Sequence, residues 1–112
     1  MSYKQGDIVL LPFPFTNQSN SKKRPAMVIS GNTMNNTSDI MVVQITKEIR
    51  NDEYSVKLPI SELTKPLKFV SEIRCHKILV ADKSLIDKSP ISTVSDEIIN
   101  QVKDKIKDIL DN

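Results

Sequence analysis

Before residue 80 the apolar positions come in short runs rich in Val and Ile, set apart by polar turn-formers. That pattern predicts strands over "GDIVLLPF" (6–13), "PAMVIS" (25–30), "DIMVVQIT" (39–46), "EYSVKLP" (53–59) and "FVSEIRCHKILVA" (69–81). Five strands of this length suit a mainly β body, a small closed barrel. The fourth alternates, with Tyr54, Val56 and Leu58 on one face and Ser55 and Lys57 on the other, so one of its faces is expected to be wet. The first three are apolar on nearly both faces, which requires a cover besides the barrel interior. A helix or a second subunit would supply it.

The tail offers such a helix. In "SDEIINQVKDKIKDIL" the residues Ile98, Ile99, Val102, Ile106, Ile109 and Leu110 recur at helical spacing, predicting an amphipathic helix over about 95–110. Ser95 can cap its first turn, and Asp96 and Glu97 suit the positive end of its dipole. The segment "SPISTVS" before it reads as a connection. There is no internal repeat or linker, so residues 1–112 read as one domain, with the barrel over about 5–82.

Composition narrows the class. The 38% apolar and 27% charged content is that of an ordinary globular chain. The net charge of +2 conceals an uneven distribution: residues 1–80 hold 11 Lys/Arg against 7 Asp/Glu, and residues 81–112 hold 5 against 7. A basic body with a mildly acidic tail still attracts a polyanion locally. No apolar run approaches the roughly 20 residues of a membrane span, and "MSYKQGD" lacks a signal-peptide core, so a cytoplasmic protein without membrane contact is expected. The lone Cys75 excludes an internal disulfide and reads as a half-buried strand residue. There is no His pair at ligand spacing, no glycine-rich phosphate loop and no G-x-S-x-G turn, so neither a metal nor a cofactor is expected. Asp7, Asp39 and Glu72 form no readable metal set and read as surface or turn residues.

What remains is the long polar loop between Phe13 and Arg24 and the strand ends beside it. Pro25 fixes the backbone after Arg24, which places a permanently charged guanidinium at the barrel rim, where it can fork onto phosphate oxygens. Lys22 and Lys23 would add sequence-independent attraction, although "KKR" alone also reads as a solvated charge run. Alternation along "DIMVVQIT" brings Gln44 and Thr46 to one face at the strand's exit. A hydroxyl there can donate to a developing oxyanion, or simply end a strand. His76 is the only imidazole, but in "EIRCHKI" it shares a face with Glu72 and Arg74 and reads as a partly exposed polar residue.

Taken in order, "GDIVLLPFPFT", "KKRPAMVIS", "VVQIT", "SEIRCHKI" and the amphipathic tail resemble the MazF/PemK family of toxin ribonucleases over nearly the whole chain. The resemblance implies an SH3-like β-barrel with a C-terminal helix, a homodimer, and metal-independent cleavage of single-stranded messenger RNA at short motifs. It also implies a cognate antitoxin whose acidic, flexible segment lies across the RNA path. The family's catalytic arginine and threonine correspond to Arg24 and Thr46, and Lys22, Lys23, Gln44, Lys47 and Arg74 are candidates for RNA binding. A guanidinium is a poor base near neutrality, so its expected role is electrostatic. The first loop departs from the family pattern, reading "NQSNSKK" where many members carry glycine and glutamate. Two other classes fit the same architecture: a gyrase poison similar to CcdB, and a barrel that holds RNA or a protein without cutting.

Overall fold

The first strand starts where a glycine turns the chain. Gly6 sits at φ +97°, a backbone that L side chains rarely adopt, and a Cβ there would also press to 2.7 Å on the terminal Cδ1 of Ile99 on the C-terminal helix, so it is the backbone that requires glycine. The computed structural model describes residues 2–13, 23–87 and 90–112. Most of the loop after Phe13, Lys22 included, lies outside them.

The strands are β1 (Asp7–Pro12), β2 (Lys23–Val28), β3 (Asp39–Thr46), β4 (Ser55–Leu58), β5 (Ser71–Asp82) and β6 (Ser92–Thr93). A single helical turn, α1 (Asn32–Asn35), joins β2 to β3, and α2 (Asp96–Asp111) ends the chain. The sheet runs β4-β5-β3-β2-β1-β6 with antiparallel pairing throughout. Two expectations change. The supposed connection "SPISTVS" contains β6, which pairs Asp7 with Thr93 and Ile8 with Ser92. The last long strand begins at Ser71, which leaves Phe69 and Val70 outside it and exposed.

β5 does not follow β3 evenly. Gln44 pairs with Arg74 while its neighbour Val43 pairs with Ile78, so residues 75–77 are extra on the β5 side. Such an insertion bends a strand and increases its twist. The sheet curls into a half-barrel, and its two edges meet along a seam. After β4, Leu63 bridges to Val94, Thr64 N–H donates to the Thr93 carbonyl at 2.9 Å, and Ser95 N–H donates to the Glu62 carbonyl at 2.9 Å. The mainly β barrel with a C-terminal helix expected from the sequence is thus present, closed by a few bonds where its edges meet.

The two-sided apolar strands are explained by two cores. One holds Ile8, Met27, Val43, Ile45, Val56, Leu58, Ile73 and Cys75 against Ile98 and Val102 of α2, with Ile99, Ile106 and Ile109 packed alongside. The other holds Val9, Leu11, Ala26, Val28, Ile40 and Val42 and is covered by Tyr3, Phe13 and Ala81. Alternation sends successive residues of β1, β2 and β3 to opposite cores. Ser95 caps α2, its hydroxyl oxygen accepting from Ile98 N–H at 3.3 Å while its proton goes to Glu62 at 2.6 Å. Three details differ from expectation. Leu110 leaves the helical stripe and is 80% exposed, Tyr54 is exposed instead of joining Val56 and Leu58, and Cys75 is fully buried, which pushes its thiol up to about 12.

Candidate active site at the open end of the sheet

β2 and β3 pair Val28 with Val42, Met27 with Val43 and Ala26 with Gln44. That ladder ends at Ala26 and Gln44, and Arg24 on β2 and Thr46 on β3 each lie two places beyond it, at the same end of the two strands. Both line one cleft of about 330 Å³, together with Lys23, Lys47 and Lys68. The cleft's one carboxylate among the described residues is Glu48, which is turned to Arg50 at 3.0 Å. No described carboxylate comes within ion-pairing distance of Arg24.

The Thr46 hydroxyl is oriented by its own turn. Its oxygen accepts from Glu48 N–H at 3.1 Å, which leaves its proton available to a ligand in the cleft. Lys23 makes a partly exposed ion pair with Asp87 at 3.3 Å. Gln44 is half-buried and is not among the residues lining the cleft. Lys22 lies outside the described residues.

Behind Thr46 the chain makes a loop to β4, and buried charge fastens it. The Glu72 carboxylate, 0% exposed, accepts from Arg50 N–H at 3.1 Å and Asn51 N–H at 2.8 Å, where Asn51 takes a left-handed backbone at φ 55°. Arg74 donates to Asp52 and to Ser55, each at 2.9 Å, and lies 3.9 Å from Glu72. Hydrogen bonds from Arg74 and Ser55 hold the Asp52 carboxyl down to about 2. Burial opposes ionisation of Glu72, but the N–H donors and Arg74 outweigh it and hold its carboxyl below the ordinary value.

Three sequence expectations are corrected here. Glu72 is not a surface residue, because two loop N–H groups replace its water. Asp7 is likewise buried, accepting from Lys4 N–H at 2.9 Å and from the Thr93 hydroxyl at 3.1 Å. Arg74 is not presented to a polyanion, because its side chain is 7% exposed and committed to internal partners. His76 stacks on Tyr54 with ring centroids 4.5 Å apart, and burial with the charges of Arg74 and Lys77 pushes its imidazole pKa down. It lines no part of the cleft.

Lys68 and Phe69 do line it, and the sequence reading passed over both. Their signal was an aromatic residue beside a lysine in "KPLKF", of which Phe69 was absorbed into the strand predicted over 69–81 and Lys68 stood just before it. Among the described residues, no three of His, Cys, Asp or Glu gather as a metal-ligand set, and no helix is long and apolar enough to cross a membrane.

Comparison with known proteins decides the family. Residues 4–110 match the model of the PemK-like, MazF-like toxins of type II toxin–antitoxin systems. The chain belongs to that family. Among curated proteins none matches it significantly by sequence. Solved structures share its fold at low identity. MazF from Deinococcus radiodurans superposes with a TM-score of 0.80 at 18% identity, covering 100% of this chain and 99% of the other. A MazE–MazF complex from the same organism gives 0.79 at 19%, covering 98% and 97%. An endoribonuclease in complex with its cognate antitoxin, from a mycobacterial species, gives 0.78 at 15%, covering 97% and 95%. A toxin fold of this family therefore carries the Arg24–Thr46 cleft.

Proposed function

We propose that the chain is the toxin of a type II toxin–antitoxin pair, a metal-independent endoribonuclease that cuts single-stranded messenger RNA and so arrests translation. The observation that supports this reading best is that Arg24 and Thr46 line one basic cleft. The substrate's own 2′-hydroxyl attacks the adjacent phosphorus. As the P–O2′ bond forms and the P–O5′ bond breaks, the 2′ proton is lost and the 5′ oxygen gains one. The products carry a 2′,3′-cyclic phosphate and a 5′-hydroxyl. Arg24 meets the charge that gathers on the phosphorane oxygens, and the Thr46 hydroxyl donates to the same oxygens. Lys23 and Lys47 draw in the flanking phosphates.

A cytoplasmic, single-domain toxin acting as a homodimer completes the proposal. Ile78, Val80 and Leu85 leave apolar surface near the end of β5 that a second copy would cover. The partner would be an antitoxin with an acidic flexible segment, since acidic side chains are complementary to Lys23, Arg24, Lys47 and Lys68. Some relatives of the same fold are solved with an antitoxin bound.

Incubation of the purified protein with single-stranded RNA in excess EDTA tests the reading. Cleavage to cyclic-phosphate ends supports it. Cleavage that stops on chelation and returns with magnesium overturns the mechanism, and RNA binding without cutting reduces the protein to a binding barrel.

A further inference from the structure

Phe69 is the one aromatic side chain in the cleft among the described residues, and it is 48% exposed. A single exposed phenylalanine is ordinary on a protein surface. Three features set this one apart. It shares a cleft with Arg24 and Thr46. The ammonium groups of Lys47 and Lys68 lie over its ring, 4.9 and 5.6 Å from the centroid. Its backbone is pinned, because the hydroxyl of the buried Ser71 donates to the Phe69 carbonyl at 2.9 Å, while Leu67 on the other side packs against the helix-side core. The chain is thus anchored on both sides of a ring it leaves half in water.

We propose that Phe69 is a stacking platform for one unpaired base of the RNA beside the scissile phosphate, with Lys68 taking the phosphate next to that base. The inference rests on the proposed RNA-cleaving function and adds a base-binding subsite to it. Single-stranded RNA offers what this surface lacks: a flat π-face to cover the ring and an anion for each lysine. The two ammonium heads ride on flexible four-carbon stems, so they can swing from the ring to the phosphates as the base arrives. Stacking tolerates any base, so this subsite positions the strand, and choice of motif falls to other contacts.

The test uses an RNA that the parent protein cuts, remade with 2′-fluoro sugars so that it binds without reacting, and with 2-aminopurine placed in turn at each position flanking the cut. With the parent, one position loses fluorescence on binding. Phe69→Ala should abolish that quenching and weaken binding about 10- to 100-fold, while Phe69→Tyr restores both. Lys68→Ala should keep the quenching, weaken binding several-fold and lower the salt slope by about one. Unchanged thermal midpoints confirm that the exposed ring was not holding the fold. A Phe69→Ala protein that binds and quenches like the parent overturns the subsite while leaving the nuclease reading intact. A parent that neither binds nor cuts RNA overturns both. Loss of affinity for an acidic peptide, with RNA binding unchanged, would assign the ring to a protein partner and overturn the subsite.

Discussion

Arg24 and Arg74 are the same residue type on neighbouring parts of one sheet, and they face opposite circumstances. Arg24 lines an open cleft with no described carboxylate at ion-pairing distance, the cleft's Glu48 being paired with Arg50. Arg74 is buried and donates to Asp52 and Ser55, with Glu72 alongside. One guanidinium is kept available to a ligand, and the other is consumed in holding a loop. Sheet position does not decide which is which. The carboxylates nearby do, because an arginine that already has anionic partners gains little from a phosphate.

The contrast can be broken by removing each side chain. Arg24→Ala should slow single-turnover cleavage at saturating enzyme about a hundredfold to a thousandfold, with Thr46→Val also slowing it steeply and neither shifting the thermal midpoint. Cleavage at the parent's rate by the Arg24 variant would end its catalytic assignment.

Arg74→Ala should show the reverse signature. It strands the buried Glu72 carboxylate without its cation, at a cost of about 3 kcal/mol in stability measured by urea unfolding. RNA affinity per folded molecule should change little. A stable Arg74 variant that had lost RNA binding would restore the residue to the binding surface.

Acid sharpens the same comparison. The folded-state pKa values of Asp52 and Glu72 lie below their ordinary values, about 2 for Asp52, so their contribution is complete above the carboxylate range and is lost as pH falls through the folded-state values. Stability of the parent should therefore decline from about pH 5 downward. In Arg74→Ala the Asp52 part of that decline should flatten, because its carboxyl no longer has the chief cause of its depression.

The smallest effect belongs to Lys23. Its ion pair with Asp87 is partly exposed and contributes under about 1 kcal/mol to stability. Lys23→Ala should leave the fold and the saturated rate nearly intact, weaken RNA binding a few-fold and lower its salt slope by about one.

Much of this was legible in the sequence. Short Val/Ile runs marked five of the six strands, and the isoleucine spacing with Ser95 marked the helix. Arg24 and Thr46 could be placed at the rim because Pro25 and strand alternation fix their positions locally, whereas their expected roles came from the family resemblance. Ser92–Thr93 escaped because two residues carry no period, and only pairing with Asp7 and Ile8 makes them a strand. Glu72 escaped because its solvent is replaced by N–H groups more than twenty residues away, on a loop whose shape includes a left-handed Asn51. Phe69 escaped because an aromatic residue beside a valine looks like the start of a strand until Ser71 is seen to begin it.

The seam between residues 62–65 and 92–95 has a consequence for how the molecule breathes. β3 and β5 are joined by a long ladder through the middle of the sheet, whereas the two edges share one isolated bridge and a few bonds around Thr64, Ser92 and Ser95. Opening there breaks few hydrogen bonds, so amide hydrogens along the seam should exchange with solvent earlier than those of the central ladder, which hydrogen exchange would check. The half-barrel is hinged like a book, with its spine at β3 and β5 and its clasp at Leu63 and Val94.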